Sequence, residues 1–278
     1  MRWSVKRRWR WIVTSAALAM LVGIGVWLVA PRPVAQVTAP TVSDEQFDAV
    51  SGTTLLFGHQ SVGMNVLDGI AGVYRDASRP PPTIVEAGAE VDRPSIVHAF
   101  VGVNGDPLGK FDAFHELVDA AAGAAPDVAL VKLCYTDITS TTDARAVFEE
   151  YRALMSDLET RHPDITFLYT TVPLTTDRSW RANLKALFGS DDQRGPADNL
   201  VREAYNTLIR DEYASSGRLF DIAAVEATLS TDPMTREHHG ERYHVLNSAL
   251  GADAGHLNEV GARMAAAELM RVIADLDE

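Results

Sequence analysis

The sequence predicts a three-layer α/β/α sandwich around a mainly parallel sheet of about five strands, preceded by one membrane-spanning helix. Three observations predict it. Strand-like apolar runs alternate with helix-periodic segments from about residue 53 onward, the pattern that gives a parallel sheet covered on both faces. The run "PDVALVKLCYTD" (126–137) is continuously apolar at its centre, as a strand buried on both faces must be. Near the N-terminus, residues 11–30 are twenty residues without a charge, enough to span a hydrocarbon core as a helix.

The elements follow in order. "MRWSVKRRWR" (1–10) carries five basic residues and no acid, which favours a cytoplasmic N-terminus for the helix at 11–30. The rival reading is a signal peptide removed on export, although its apolar part is long and no clean small-x-small site follows. Residues 31–44, rich in Pro, Val and Thr, suit an extended tether. The folded domain then occupies 45–278. "TTLLFG" (53–58) is its first strand, and 62–77 has helical apolar spacing. A second strand lies near 83–87, a helix at 110–125, the central strand at 126–137 and a long amphipathic helix at 142–162. Strands at 165–173 and 218–226 flank a helix at 198–217, and a closing helix runs over 258–276.

Charge and cysteine content narrow the function classes. The net charge is −13, yet residues 1–32 are purely basic, so the rest holds 19 Lys/Arg against 38 Asp/Glu. Nucleic-acid binding relies on clustered Lys and Arg and is not expected here. The single cysteine, Cys134, excludes an internal disulfide and a Cys-based zinc site and is expected to be buried.

In open parallel sheets ligands sit beyond the carboxyl ends of the strands. Several polar segments are predicted to gather there: Gly58–Gly63, Tyr135–Thr139, Thr171–Thr176 and 228–257. In "FGHQSVG" (57–63), Ser61 stands where a strand meets a helix. In "GADAGHLNEVGARMAAAE" (251–268), Asp253 and His256 are three apart before a helix. Asp253 can then hold one ring nitrogen of His256 while the other faces the site, the orienter-and-base pair of a serine hydrolase. The same two residues could simply cap the last helix.

Taken together, these blocks resemble the SGNH (GDSL-like) hydrolase superfamily, as a divergent member. The first block is Ser61 after the first strand, and the last is the D-x-x-H segment at Asp253–His256. "VNGDP" (103–107) resembles the family's glycine block, and "LCYTDI" (133–138) stands where the family has G-x-N-D. The usual Gly-Asp-Ser is here Gly58-His59-Gln60-Ser61, and the family's oxyanion Asn falls on Thr136. The resemblance implies a flavodoxin-like sandwich and ester hydrolysis: Ser61 as nucleophile, His256 as base, Asp253 as orienter. It implies an oxyanion hole from the N–H groups of Ser61 and Gly105 with Thr136, and no metal or organic cofactor. The expected substrate is a small-molecule or carbohydrate ester carrying an O-acyl or O-acetyl group. The membrane is met through 11–30 with the catalytic domain extracytoplasmic.

Other polar residues have plainer readings. His59 shapes the pocket or the loop, Asn65 and Asp68 are ordinary helix positions, and Asn104 is a candidate substrate contact. Asp137 is expected to hydrogen-bond the loop after the first strand. His238, His239 and His244, with Glu237 and Glu241, read as a mobile surface loop or, less simply, a divalent-metal site. Two other function classes remain open: a catalytically silent carbohydrate-binding or envelope-assembly module on the same fold, and an α/β-hydrolase elbow in "HQSVG".

Overall fold

The computed structural model describes residues 40–89, 94–121, 126–178, 193–229 and 231–277. The expected membrane helix at 11–30 and most of the tether lie outside them. Among the described residues no helix is long and apolar enough to cross a membrane.

The first described element is a helix not expected from the sequence, α1 (Asp44–Gly52). Ser43 and Gln46 close a reciprocal capping box at its start, which satisfies two otherwise orphaned amides. Then follow β1 (Leu55–His59), α2 (Ser61–Asp76), β2 (Ile84–Glu86), β3 (Ile96–Phe100), α3 (Pro107–Ala121) and β4 (Val128–Val131). Next come α4 (Ala144–Arg161), β5 (Thr166–Thr170), α5 (Pro196–Tyr213), β6 (Leu219–Phe220) and α6 (Ile222–Ala227). A hairpin, β7 (Thr235–His238) and β8 (Glu241–His244), precedes the closing helix α7 (Glu259–Ala274).

Six strands pair in parallel in the order β2-β3-β1-β4-β5-β6. With the short edge strand β2 set aside, the order is flavodoxin-like. β1 lies inside the sheet and every one of its residues is buried. Leu55 and Phe57 face the core under α1, α2, α6 and α7, whereas Leu56 faces the one under α3, α4 and α5. This is the period of two expected of a strand covered on both sides.

Three further elements differ from the sequence expectation. β3 was not anticipated, because His98 interrupts the apolar run "SIVHAF"; in the structure that imidazole is buried and bonded to His59. The strand expected at 218–226 stops after Phe220. The Asp221 carboxylate accepts the Ala224 N–H and starts α6 there. The histidine-rich loop is the β7–β8 hairpin, turned by His239 and Gly240 at φ 52° and 86°, as a two-residue primed turn requires. His244 is anchored on Glu203 by both its backbone and its ring. Among the described residues no three His, Cys, Asp or Glu side chains converge as metal ligands.

α2 and α7, which follow the two most informative sequence blocks, pack tightly against each other. A Cβ on Gly69 would lie 2.1 Å from the Ala262 carbonyl oxygen and 3.0 Å from Ala266 Cβ. Only glycine permits so close a backbone approach, and it seats the middle of α2 against the start of α7.

Candidate active site

β1 ends at His59, and Gln60 turns the chain in an extended conformation, so that Ser61 is the first residue of α2. Its N–H is one of the first-turn amides that a helix leaves unpaired. The Gln60 side chain does not cap the helix. It donates instead to the carbonyls of Val101 (2.8 Å) and Gly102 (3.1 Å), tying this turn to the segment after β3.

The His256 loop is built by local bonds. Asp253 Oδ1 accepts the N–H groups of Gly255 (2.8 Å) and His256 (2.9 Å), while Oδ2 accepts His256 Nδ1–H at 2.8 Å. A carboxylate can only accept, so Nδ1 carries the proton. Nε2 is then free to accept, and it lies 3.0 Å from Ser61 Oγ. Burial works against ionisation of Asp253, but the Gly255 N–H and the His256 ring and N–H outweigh it. They hold the carboxyl below its ordinary value.

The loop is pinned from four sides. The Ala252 N–H bonds the His256 carbonyl, and the Thr176 N–H bonds the Ala254 carbonyl. Asn258 caps α7 through the N–H groups of Val260 and Gly261, and its amide donates to the Ala249 carbonyl. Asn65, read from sequence as an ordinary helix position, has its Oδ1 on the Leu257 N–H (3.2 Å). It therefore ties the serine helix to the histidine loop. The Tyr135 ring meets the His256 imidazole edge to face at 6.2 Å.

Of the residues expected in the oxyanion hole, Gly105 has its amide engaged elsewhere. Its N–H donates to Asp137 Oδ1 at 2.7 Å in this structure. Thr136 Oγ1 is buried and has no hydrogen-bond partner in the structure. Asp137 does not reach the loop after β1, as the sequence suggested. It is fully buried and also accepts Lys110 Nζ (2.6 Å) and the Cys134 N–H (2.5 Å). Asn104 Oδ1 accepts from the same ammonium at 2.9 Å, so that side chain is a structural partner. Cys134 is buried, as expected.

His59 points into the interior. Its Nδ1 meets the Gln60 carbonyl and must donate, which leaves Nε2 to accept from His98 Nδ1 (3.1 Å). Burial pushes its pKa down to about 4, so it is a neutral spacer under the serine turn.

Beneath the β4 and β5 ends lies a buried polar floor. Arg202 donates to the carbonyl of Tyr135 (2.9 Å) and to Asn199 Oδ1 and Thr175 Oγ1. Glu226 accepts the Leu174 N–H through Oε2, and its Oε1 has no partner. Burial pushes the Glu226 carboxyl up from 4.5 to about 8. Between those values the folded chain holds a proton that the unfolded chain has released. Stability contributed by this group is full at low pH and falls as pH rises through that window. Carboxylates held low, such as Asp253 and Glu203, act with the opposite sign but at more acid pH. Urea midpoints at pH 5 and pH 8 should therefore differ less in Glu226→Gln than in wild type; equal differences would refute the buried-proton account.

No protein-family model matches the chain, and no curated protein matches it. Solved structures do. A candidate GDSL-like lipase from Parabacteroides merdae ATCC 43184 is 12% identical over 81% of this chain and 97% of that one, with a TM-score of 0.48. A candidate lipolytic protein of the G-D-S-L family from Desulfitobacterium hafniense DCB-2 is 11% identical over 79% and 99%, with a TM-score of 0.45. The periplasmic domain of a lipopolysaccharide acetyltransferase from Salmonella ser. Paratyphi A is 12% identical over 77% and 81%, with a TM-score of 0.44. These neighbours are GDSL-like lipase and acetyltransferase proteins at low identity.

Proposed function

We propose that the chain is an extracytoplasmic serine esterase of the SGNH type, tethered to the membrane through residues 11–30. The observation that carries the reading is the hydrogen-bonded line from Asp253 through His256 to Ser61, with bonds of 2.8 and 3.0 Å. It lies at the carboxyl edge of the sheet, where such folds bind ligands. Ser61 Oγ attacks the ester carbonyl and forms a C–O bond as His256 Nε2 takes its proton. The tetrahedral intermediate collapses, the alcohol leaves with the proton from His256, and the acyl group stays on Ser61. A water, activated by the same ring, then releases the acid. Another hydroxyl in place of that water would make the reaction an acyl transfer.

The oxyanion is received by the Ser61 N–H. A second donor, the Thr136 hydroxyl or a Gly105 N–H released from Asp137, contributes on the order of 2.7–4 kcal/mol of transition-state stabilisation. The outward position and the acyl chemistry suit O-acyl groups on envelope or environmental carbohydrate.

The test is labelling of the full chain with a fluorophosphonate probe, alongside hydrolysis of p-nitrophenyl acetate. Wild type is expected to label and to turn over, and Ser61→Ala to do neither. A chain that neither labels at Ser61 nor hydrolyses the ester is a silent binding module on the same fold.

A further inference from the structure

Among the described residues only three large hydrophobic side chains are exposed: Phe100 at 52%, Val103 at 71% and Leu108 at 47%. All three fall within nine consecutive residues. That segment leaves the carboxyl end of β3, the strand beside β1, where Phe100 pairs in register with His59. Three such side chains within one short segment mark a candidate contact surface.

The segment is held, which sets it apart from a loose loop. Gln60, the residue before Ser61, bonds the carbonyls of Val101 and Gly102. Gly102 has φ +56°, and a Cβ there would come within 2.9 Å of the Lys110 backbone. Asn104 and Gly105 are fixed by the buried Lys110–Asp137 pair. The backbone of the segment is therefore tied to the Ser61 turn and to the buried ion pair.

The strand order assigns the side. The His256 loop contacts Thr176 and Tyr135, which follow β5 and β4, whereas the exposed segment follows β3, across β1 from them. The leaving alcohol takes its proton from His256 and so departs on the β4–β5 side. The β3 side is then open to the acyl group, next to the Gly105 amide proposed for the oxyanion. We infer that Phe100, Val103 and Leu108 form the binding lip for an apolar acyl chain longer than acetyl.

This inference rests on the esterase reading of the same site. A lipid surface is the other apolar occupant, but the only charged side chain exposed on 100–109 is Asp106, and anionic surfaces recruit Lys and Arg. Burying each methylene is worth about fourfold in affinity, so even partial cover of a chain gives a clear preference.

The experiment compares kcat/KM of the full chain for p-nitrophenyl acetate, butyrate and octanoate, all below their micellar concentrations. Wild type is expected to favour octanoate over acetate by at least about tenfold. The Val103→Ser/Leu108→Ser double variant should lower that ratio by about tenfold. Both esters are read on one preparation, so any unfolded fraction cancels in the ratio. Hydrolysis that is flat with chain length, or a ratio unchanged in the double variant, overturns the lip and leaves the esterase standing. Flotation with phosphatidylcholine vesicles that is lost in the double variant while the ratio stays unchanged overturns it in favour of membrane contact. Absence of any Ser61-dependent turnover or labelling overturns both readings together.

Discussion

Replacing Asp253 with asparagine is expected to lower kcat for ester hydrolysis roughly a thousandfold while leaving the fold intact. Asn Oδ1 can still accept the Gly255 and His256 N–H groups that Asp253 Oδ1 accepts now, so the turn that carries the histidine persists. What is lost sits at Oδ2, 2.8 Å from His256 Nδ1. An amide nitrogen there donates, which makes Nδ1 the acceptor and moves the ring proton to Nε2. Nε2 then faces Ser61 Oγ as a donor and cannot take its proton. Loss of the orienting carboxylate in buried triads costs about 10⁴-fold. The Asp253 side chain is 59% exposed, so water partly substitutes and the smaller figure is expected. Asp253→Ala removes the turn bonds as well and should also slow fluorophosphonate labelling through a displaced His256. If Asp253→Asn keeps more than a third of wild-type kcat, Asp253 is only the cap of its turn. Steady-state kinetics, with far-UV circular dichroism as the folding control, decide.

The parts of the site legible in the sequence are those fixed locally. Asp253, Gly255 and His256 lie within one turn, and their geometry follows from spacing and from the helix that begins at Glu259. Ser61 was legible because a buried strand stops there and a helix starts. β4 and both core faces were legible for the same reason, since continuous apolar runs have few other places to go. What escaped depends on pairs distant in sequence. His98 reads as a break in a strand until His59, 39 residues away, is placed against it. Asn65 reads as solvated until Leu257 arrives from the far end of the chain. The Gly105 amide looked free because nothing local shows the Asp137 carboxylate reaching it. The capping box at Ser43 and Gln46 was the exception, a local signal that the reading of 31–44 as tether passed over.

Replacing Lys110 with methionine is expected to cost about 3–5 kcal/mol of stability, the range for breaking a buried ion pair on one side. Both side chains are wholly inaccessible, and the ammonium lies 2.6 Å from Asp137 Oδ2. Without it, the carboxylate keeps only the Gly105 and Cys134 N–H groups as donors in a dry site. A loss of this size is a large fraction of the 5–15 kcal/mol that holds a typical domain folded. The Lys110→Met/Asp137→Asn double variant removes both charges, and asparagine retains an acceptor oxygen for the Gly105 N–H. It should therefore be more stable than Lys110→Met alone, so that the second substitution is stabilising in the context of the first and the pair is strongly non-additive. Urea unfolding of the three proteins measures this; a Lys110→Met variant within about 1 kcal/mol of wild type would show that the charge pair is not what holds the segment. In the proposed esterase the pair also bears on the oxyanion site. Asp137 occupies the Gly105 amide while its charge is intact, and an asparagine there holds that amide less firmly. On the esterase reading, Lys110 and Asp137 thus link the stability of the 100–108 segment to the number of donors open to an oxyanion on Ser61.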